Sequence, residues 1–206
     1  MFLKLFLILF FLTTLYSAPI HDAATNGDVT AMQSLLDLGT DIDDENRFGQ
    51  TPLALAVYNE HLKAVEFLLS KGADVNCEMN NGQTPIFAAA YLGRNKIIIA
   101  LIEKKAKLNI HDNAGVTPLH SAAEGGSASA VRLLIENGAK IDAVNKHNET
   151  PLYVAAKMGN EDAVWVLVKA GASNTPVSDE EMTASEVADE EDYGRIVKII
   201  EKYAKQ

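Results

Sequence analysis

Thr51-Pro52-Leu53-Ala54-Leu55-Ala56 returns three times along the chain, as Thr84-Pro85-Ile86-Phe87-Ala88-Ala89, Thr117-Pro118-Leu119-His120-Ser121-Ala122 and Thr150-Pro151-Leu152-Tyr153-Val154-Ala155. Each copy starts 33 residues after the one before. A fixed period between about 20 and 50 residues marks a stack of like units, in which each unit touches only its neighbours. The register runs past the four copies. Ala18-Pro19-Ile20-His21-Asp22-Ala23-Ala24 stands 33 residues before Thr51, and Thr183-Ala184-Ser185-Glu186-Val187-Ala188 stands 33 after Thr150. Residues 18–206 thus divide into a first capping unit 18–50, repeats 51–83, 84–116, 117–149 and 150–182, and a last capping unit 183–206.

One unit explains the rest. Thr51 can cap a helix through its hydroxyl, and Pro52 suits the first helical position, where a missing N–H costs nothing. Leu53, Leu55, Ala56 and Val57 make this first helix short, small and apolar, so that a neighbour can approach closely. Asn59-Glu60 turns the chain. Leu62, Val65, Leu68 and Leu69 then recur at helical spacing, with Lys63, Glu66 and Ser70 facing outward. Gly72 ends this second helix, since glycine takes the left-handed conformation without side-chain cost. Asn81-Gly82 is a strong turn signal and predicts a protruding hairpin before the next Thr-Pro. A unit of this kind cannot bury its apolar face alone and must stack.

These residues resemble the ankyrin repeat: Gly-x-Thr-Pro-Leu-x-x-Ala opens a unit, Leu-Leu-x-x-Gly-Ala closes its second helix, and a glycine sits in the hairpin. The resemblance covers Ala18 to about Tyr203. It implies an all-α ankyrin-repeat solenoid of helix-turn-helix units with protruding β-hairpin loops, the hairpins and first helices lying on the concave side.

The copies also serve as an internal alignment. At the helix-ending position the residues are Gly39, Gly72, Lys105, Gly138 and Gly171; at the turn between helices, Gly27, Glu60, Gly93, Gly126 and Gly159; at the hairpin, Gly49, Gly82, Gly115, Asn148 and Glu181. Glu resists left-handed geometry, so the hairpin from Asn174 to Met182, which also contains Pro176, is expected to be irregular. Asp179, Glu180, Glu181, Glu186, Asp189, Glu190, Glu191 and Asp192 make the last unit acidic. That run reads as a solvated cap surface, with docking of a basic partner as the alternative.

Composition narrows the function. A net charge of −10 opposes binding to phosphate backbones, so no nucleic-acid partner is expected. One cysteine, Cys77, excludes an intramolecular disulfide and a cysteine-based metal cluster. It stands at a hairpin stem beside equivalents Asp44, Ile110, Ala143 and Pro176 and reads as a tolerated small side chain, with pairing between molecules as the alternative. Residues 1–17 carry Lys4, the apolar run Leu5 to Leu12, then Thr13, Thr14 and Ser17. That layout predicts a signal peptide cleaved after Ser17 and a secreted or periplasmic product free of the membrane, with an uncleaved signal anchor as the alternative.

No catalytic set is apparent, and neither a metal nor a cofactor is expected. His-x-x-x-His, Cys-x-x-Cys, Gly-x-Ser-x-Gly and phosphate-loop patterns are missing, and Gly125-Gly126 reads as the turn between helices. His21 and His120 share one repeat position, where the resemblance implies an imidazole bonded to a Thr-Pro threonine, Thr117 or Thr150 for His120. Asn148-Glu149-Thr150 is a glycosylation acceptor sequence.

By the resemblance, the residues that vary on the concave side are Arg47, Phe48, Tyr58, Asn80, Tyr91, Leu92, Asn113, Glu124, Lys146, His147, Lys157 and Met158. Tyr58 and Tyr91 are 33 apart and stack as neighbours. With Phe48 and Leu92 they suggest a binding cluster, since clustered exposed aromatics mark interfaces, with packing along the ridge between adjacent units as the alternative. Ile99, Arg132 and Trp165 share a repeat position on the opposite side and form a second candidate patch. The expected function is a non-enzymatic, exported, monomeric scaffold for a protein partner. The alternative is an accessory protein handling a small molecule or metal for an exported enzyme.

Overall fold

The computed structural model describes residues 19–175 and 181–204. The expected signal segment, and the part of the last hairpin that holds Pro176, Asp179 and Glu180, lie outside them.

Twelve helices follow one another among the described residues: α1 Pro19–Thr25, α2 Val29–Asp37, α3 Pro52–Tyr58, α4 Leu62–Ser70, α5 Pro85–Tyr91, α6 Asn95–Glu103, α7 Pro118–Glu124, α8 Ala128–Glu136, α9 Pro151–Lys157, α10 Glu161–Ala170, α11 Ala184–Glu190 and α12 Gly194–Tyr203. Odd-numbered helices pack on odd-numbered neighbours and even on even, so the pairs stack in series as two layers. The chain is an all-α solenoid.

Starts of the first helices follow from the threonines. The hydroxyls of Thr51, Thr117, Thr150 and Thr183 accept from the backbone N–H three residues on, at 3.3, 3.4, 3.2 and 3.1 Å. Thr84 departs from the pattern: its hydroxyl is buried without a hydrogen-bond partner. Between the layers the core is a strip. Leu53, Ile86, Leu119 and Leu152 share one repeat position, Leu68, Leu101, Leu134 and Leu167 another, and all are fully buried. Alanines at 56, 89, 122 and 155, also fully buried, let the first helices come close.

The protruding loops differ from the expected β-hairpins, because no strand forms among the described residues. Each tip is closed by one backbone bond, from the N–H of Asn46, Met79, Asp112 or Asn145 to the carbonyl of Gln50, Gln83, Val116 or Glu149, and in three of these loops the amide or carboxylate of that first residue adds to it. Asn46 Oδ1 accepts from the N–H groups of Phe48 and Gln50, Asp112 Oδ1 from Ala114 and Val116, and Asn145 Oδ1 from His147 and Glu149. Glu181 takes φ +56° despite the side-chain cost, as Asn148 does.

Left-handed geometry is also kept where glycine is replaced at a helix end: Lys105 has φ +65° against +88°, +96° and +94° at Gly39, Gly72 and Gly138. A Cβ on those three glycines would meet nothing within 4 Å, so the strain at Lys105 is torsional rather than steric. Lys105→Gly is expected to raise stability by about 1 kcal/mol. A urea midpoint that moves downward in the variant contradicts this. Glu60 keeps φ +64° in the same way. At the equivalent glycines an added Cβ meets the residue at the start of the next unit's second helix, such as His61 or Ser127. Glu60 faces Arg94 there and pairs with it.

Candidate binding surface

The loop tips and the ends of the first helices carry the twelve expected residues, and the structure divides them by what they touch. Phe48 is 54% exposed and lies under the Arg47 guanidinium, 4.6 Å from ring centroid to Cζ. Tyr58 and Tyr91, the last residues of the adjacent helices α3 and α5, are 64% and 49% exposed. Burial along the ridge between units therefore does not account for these rings. Nor do they form a ring pair with each other. Leu92 is half-buried at the end of α5, whereas Met158, at the end of α9, is 52% exposed.

Asn80, Asn113 and Lys146 are exposed but already engaged. Asn80 Nδ2 donates to the Arg47 carbonyl at 3.1 Å, Asn113 Nδ2 to the Asn80 carbonyl at 3.0 Å, and Lys146 Nζ to the Asn113 carbonyl at 2.8 Å. Together they tie successive loop tips at one repeat position. Glu124 is exposed, and its carbonyl accepts from Asn160 Nδ2 at 2.7 Å. Lys157 pairs with Glu149 at 3.2 Å, and His147 is exposed on the loop beyond Asn145. The glycosylation acceptor Asn148 is exposed on that same loop, while Thr150 of the acceptor sequence is buried as the cap of α9.

Another ladder escaped the sequence reading. Asp43 Oδ1 accepts from Asp74 N–H at 3.0 Å, Asn76 Oδ1 from Lys107 N–H at 2.8 Å, Asn109 Oδ1 from Lys140 N–H at 2.8 Å and Asp142 Oδ1 from Ser173 N–H at 3.0 Å. Desolvation holds the Asp43 carboxyl above the usual carboxylate range. The signal was available, since residues 43, 76, 109 and 142 are all Asp or Asn at 33-residue spacing. Such bonds hold the loops at a fixed angle to the helices and so pre-organise the tips.

The histidines and the cysteine serve the frame. His120 Nδ1 accepts from the Thr117 N–H at 3.2 Å and lies 2.8 Å from the Thr117 hydroxyl. Its proton is therefore on Nε2, which donates to the Glu149 carbonyl at 2.9 Å. Of the two threonines expected, Thr117 is the partner. Burial pushes the His120 pKa down, which keeps the ring neutral. His21 Nε2–H donates to the Gln50 carbonyl at 3.1 Å, but its Nδ1 has no hydrogen-bond partner and lies 3.9 Å from Asp44 Oδ2. Ala18 occupies the threonine position in that unit. Cys77 is half-buried with Sγ 3.1 Å from Thr51 Oγ1, and burial pushes its thiol pKa up, away from nucleophilic use.

At the carboxyl end, Glu181, Glu186, Asp189, Glu190 and Glu201 surround Met182 and Val197 in an open depression of about 630 Å³. Glu186 closes a capping box with Thr183, and the Thr183 N–H holds its carboxyl below the usual range. This assigns Glu186 to the cap. Among the described residues no group of three or more His, Cys, Asp or Glu is placed to hold a metal, and no helix is long and apolar enough to cross a membrane.

Comparison with protein-family models finds a match to "Ankyrin repeats (3 copies)" over residues 20–112 and 105–178. No curated protein matches the sequence.

Proposed function

We propose, from the premise that this chain belongs to the ankyrin-repeat family, that it is a non-enzymatic scaffold recognising a protein partner through its loop tips and first-helix ends. The centre of that surface is Phe48, Tyr58, Tyr91 and Leu92. One observation carries the reading: Tyr58 and Tyr91 hold one repeat position on adjacent stacked helices and leave most or half of their area to solvent, while the residues behind them are buried. Large amphipathic rings on a rigid base lose little conformational entropy on binding, which is why such residues dominate interfaces. His120 is locked in one tautomer by its neighbours and Cys77 is shielded, which argues against nucleophilic catalysis at either place.

The test is Tyr58→Ala with Tyr91→Ala in one chain, used to capture partners from the native extracellular fluid. Capture is expected to fall at least about tenfold, with the helical circular-dichroism signal unchanged. Unchanged capture by a folded variant removes this surface from consideration.

Export belongs to the same proposal and rests on the basic start, apolar run and small residues of positions 1–18. The expected result is a monomer recovered from culture supernatant or periplasm with Ala18 at its N-terminus. Retention of Met1 on protein in the cytosol contradicts it.

A further inference from the structure

On the side away from the loop tips, α8 and α10 enclose a groove of about 240 Å³, the size of one large side chain. It is lined by Ile135, Trp165, Val166 and Ala170 together with Arg132, Lys169 and Glu136. Trp165 is 40% exposed, and its ring is held edge-on to Tyr203 at 5.0 Å and 83°, a contact that joins α10 to the closing helix α12. The Lys169 ammonium sits over both rings, 4.6 Å from the Trp165 centroid and 3.7 Å from that of Tyr203. Both the indole and the cation are thus fixed before anything binds.

The charges decide the occupant. Two cations, Arg132 and Lys169, line the groove against one acid, Glu136. Neither cation has a carboxylate within ion-pair distance among the described residues. An exposed tryptophan walled by aliphatic side chains and flanked by two unpaired cations matches an apolar side chain whose sequence neighbours are carboxylates. Nucleic acid does not fit, because binding it takes a basic track several nucleotides long, and two cations on a groove the size of one side chain supply none.

We propose that this groove binds an acidic peptide segment of a partner protein, with one apolar side chain seated on Trp165 and carboxylates reaching Arg132 and Lys169. The site is separate from the Tyr58 and Tyr91 surface. Trp165 is the single tryptophan of the chain, so its emission reports occupancy directly. The full chain is titrated with the end-capped peptide Glu-Glu-Leu-Glu-Glu and, in parallel, with Gln-Gln-Leu-Gln-Gln. The expected result is a saturable change in Trp165 emission with Kd below about 1 mM for the acidic peptide, and at least tenfold weaker binding of the glutamine peptide.

Arg132→Gln and Lys169→Gln are each expected to weaken the acidic peptide about fivefold, with the circular-dichroism signal retained, whereas Tyr58→Ala leaves the titration unchanged. A missing response, an equal response to the two peptides, or unaltered affinity in a folded Arg132→Gln chain overturns the proposal. Emission that changes with protein concentration in the absence of peptide also overturns it, by placing a second copy in the groove.

Discussion

Gly125→Ala is expected to destabilise the protein by about 3 kcal/mol, the upper part of the range for forcing added volume against packed atoms, because the site, though exposed at a helix end, abuts the backbone of the neighbouring helix. Gly125 has an ordinary helical φ of −70°, so the backbone conformation does not require glycine. Space does. A Cβ built there would lie 2.0 Å from the Tyr91 carbonyl oxygen and 3.1 Å from the Tyr91 Cα. These are backbone atoms and cannot rotate away, so α5 and α7 must move apart. Separation would loosen the packing of these two helices, where Ala89 and Ala122 are fully buried, and displace Tyr91, which the binding proposal needs in place. Chemical unfolding of the variant is the check, and a loss below about 1 kcal/mol would show that the two helices part without cost.

His120→Ala is expected to cost about 2–3 kcal/mol at neutral pH. The backbone accommodates alanine here, since Ala54 holds the same repeat position and is buried. What is lost is the network. Thr117 is 2% exposed, and its N–H would lose the Nδ1 acceptor. The Glu149 carbonyl would lose its Nε2–H donor and keep only the Asn145 N–H. The pH dependence has a definite sign. Burial lowers the His120 pKa in the folded state, so between the folded and unfolded values the unfolded chain binds more protons, and stability falls as pH falls. The advantage of His120 over alanine is therefore complete above about pH 6.5, the ordinary histidine value, and shrinks below it. Protonation would set an Nδ1–H against the Thr117 N–H, the structural origin of that loss. Unfolding free energies of the two proteins that stay parallel from neutral pH to about pH 5 would contradict this assignment.

The fold was legible because a 33-residue spacing and Thr-Pro are local signals, each tied to one helix start. Distances between units are not local, and there the reading stopped. Gly125 looked like an ordinary turn residue because Asn59, Leu92 and Met158 hold the same position with side chains; only the approach of α7 to the Tyr91 carbonyl makes glycine necessary. Asn80, Asn113 and Lys146 looked like variable surface residues, yet their nitrogens bond the neighbouring loop. The partnership of Trp165 with Tyr203 lay outside the repeat altogether, since the residue 33 after Trp165 is Lys198. By contrast, the exposure of Phe48, Tyr58 and Tyr91 followed from their places in the repeat, because a position at a loop tip or helix end faces outward whatever residue fills it.

The central claim is that a partner is held by the loop tips of the first two units and the first-helix ends of the second and third. Amide hydrogen exchange on the captured complex, against the free chain, tests it most directly. Slowed exchange concentrated in residues 46–61 and 79–94 is the predicted result. Protection confined to residues 128–170, or no protection anywhere in the stack, would contradict it.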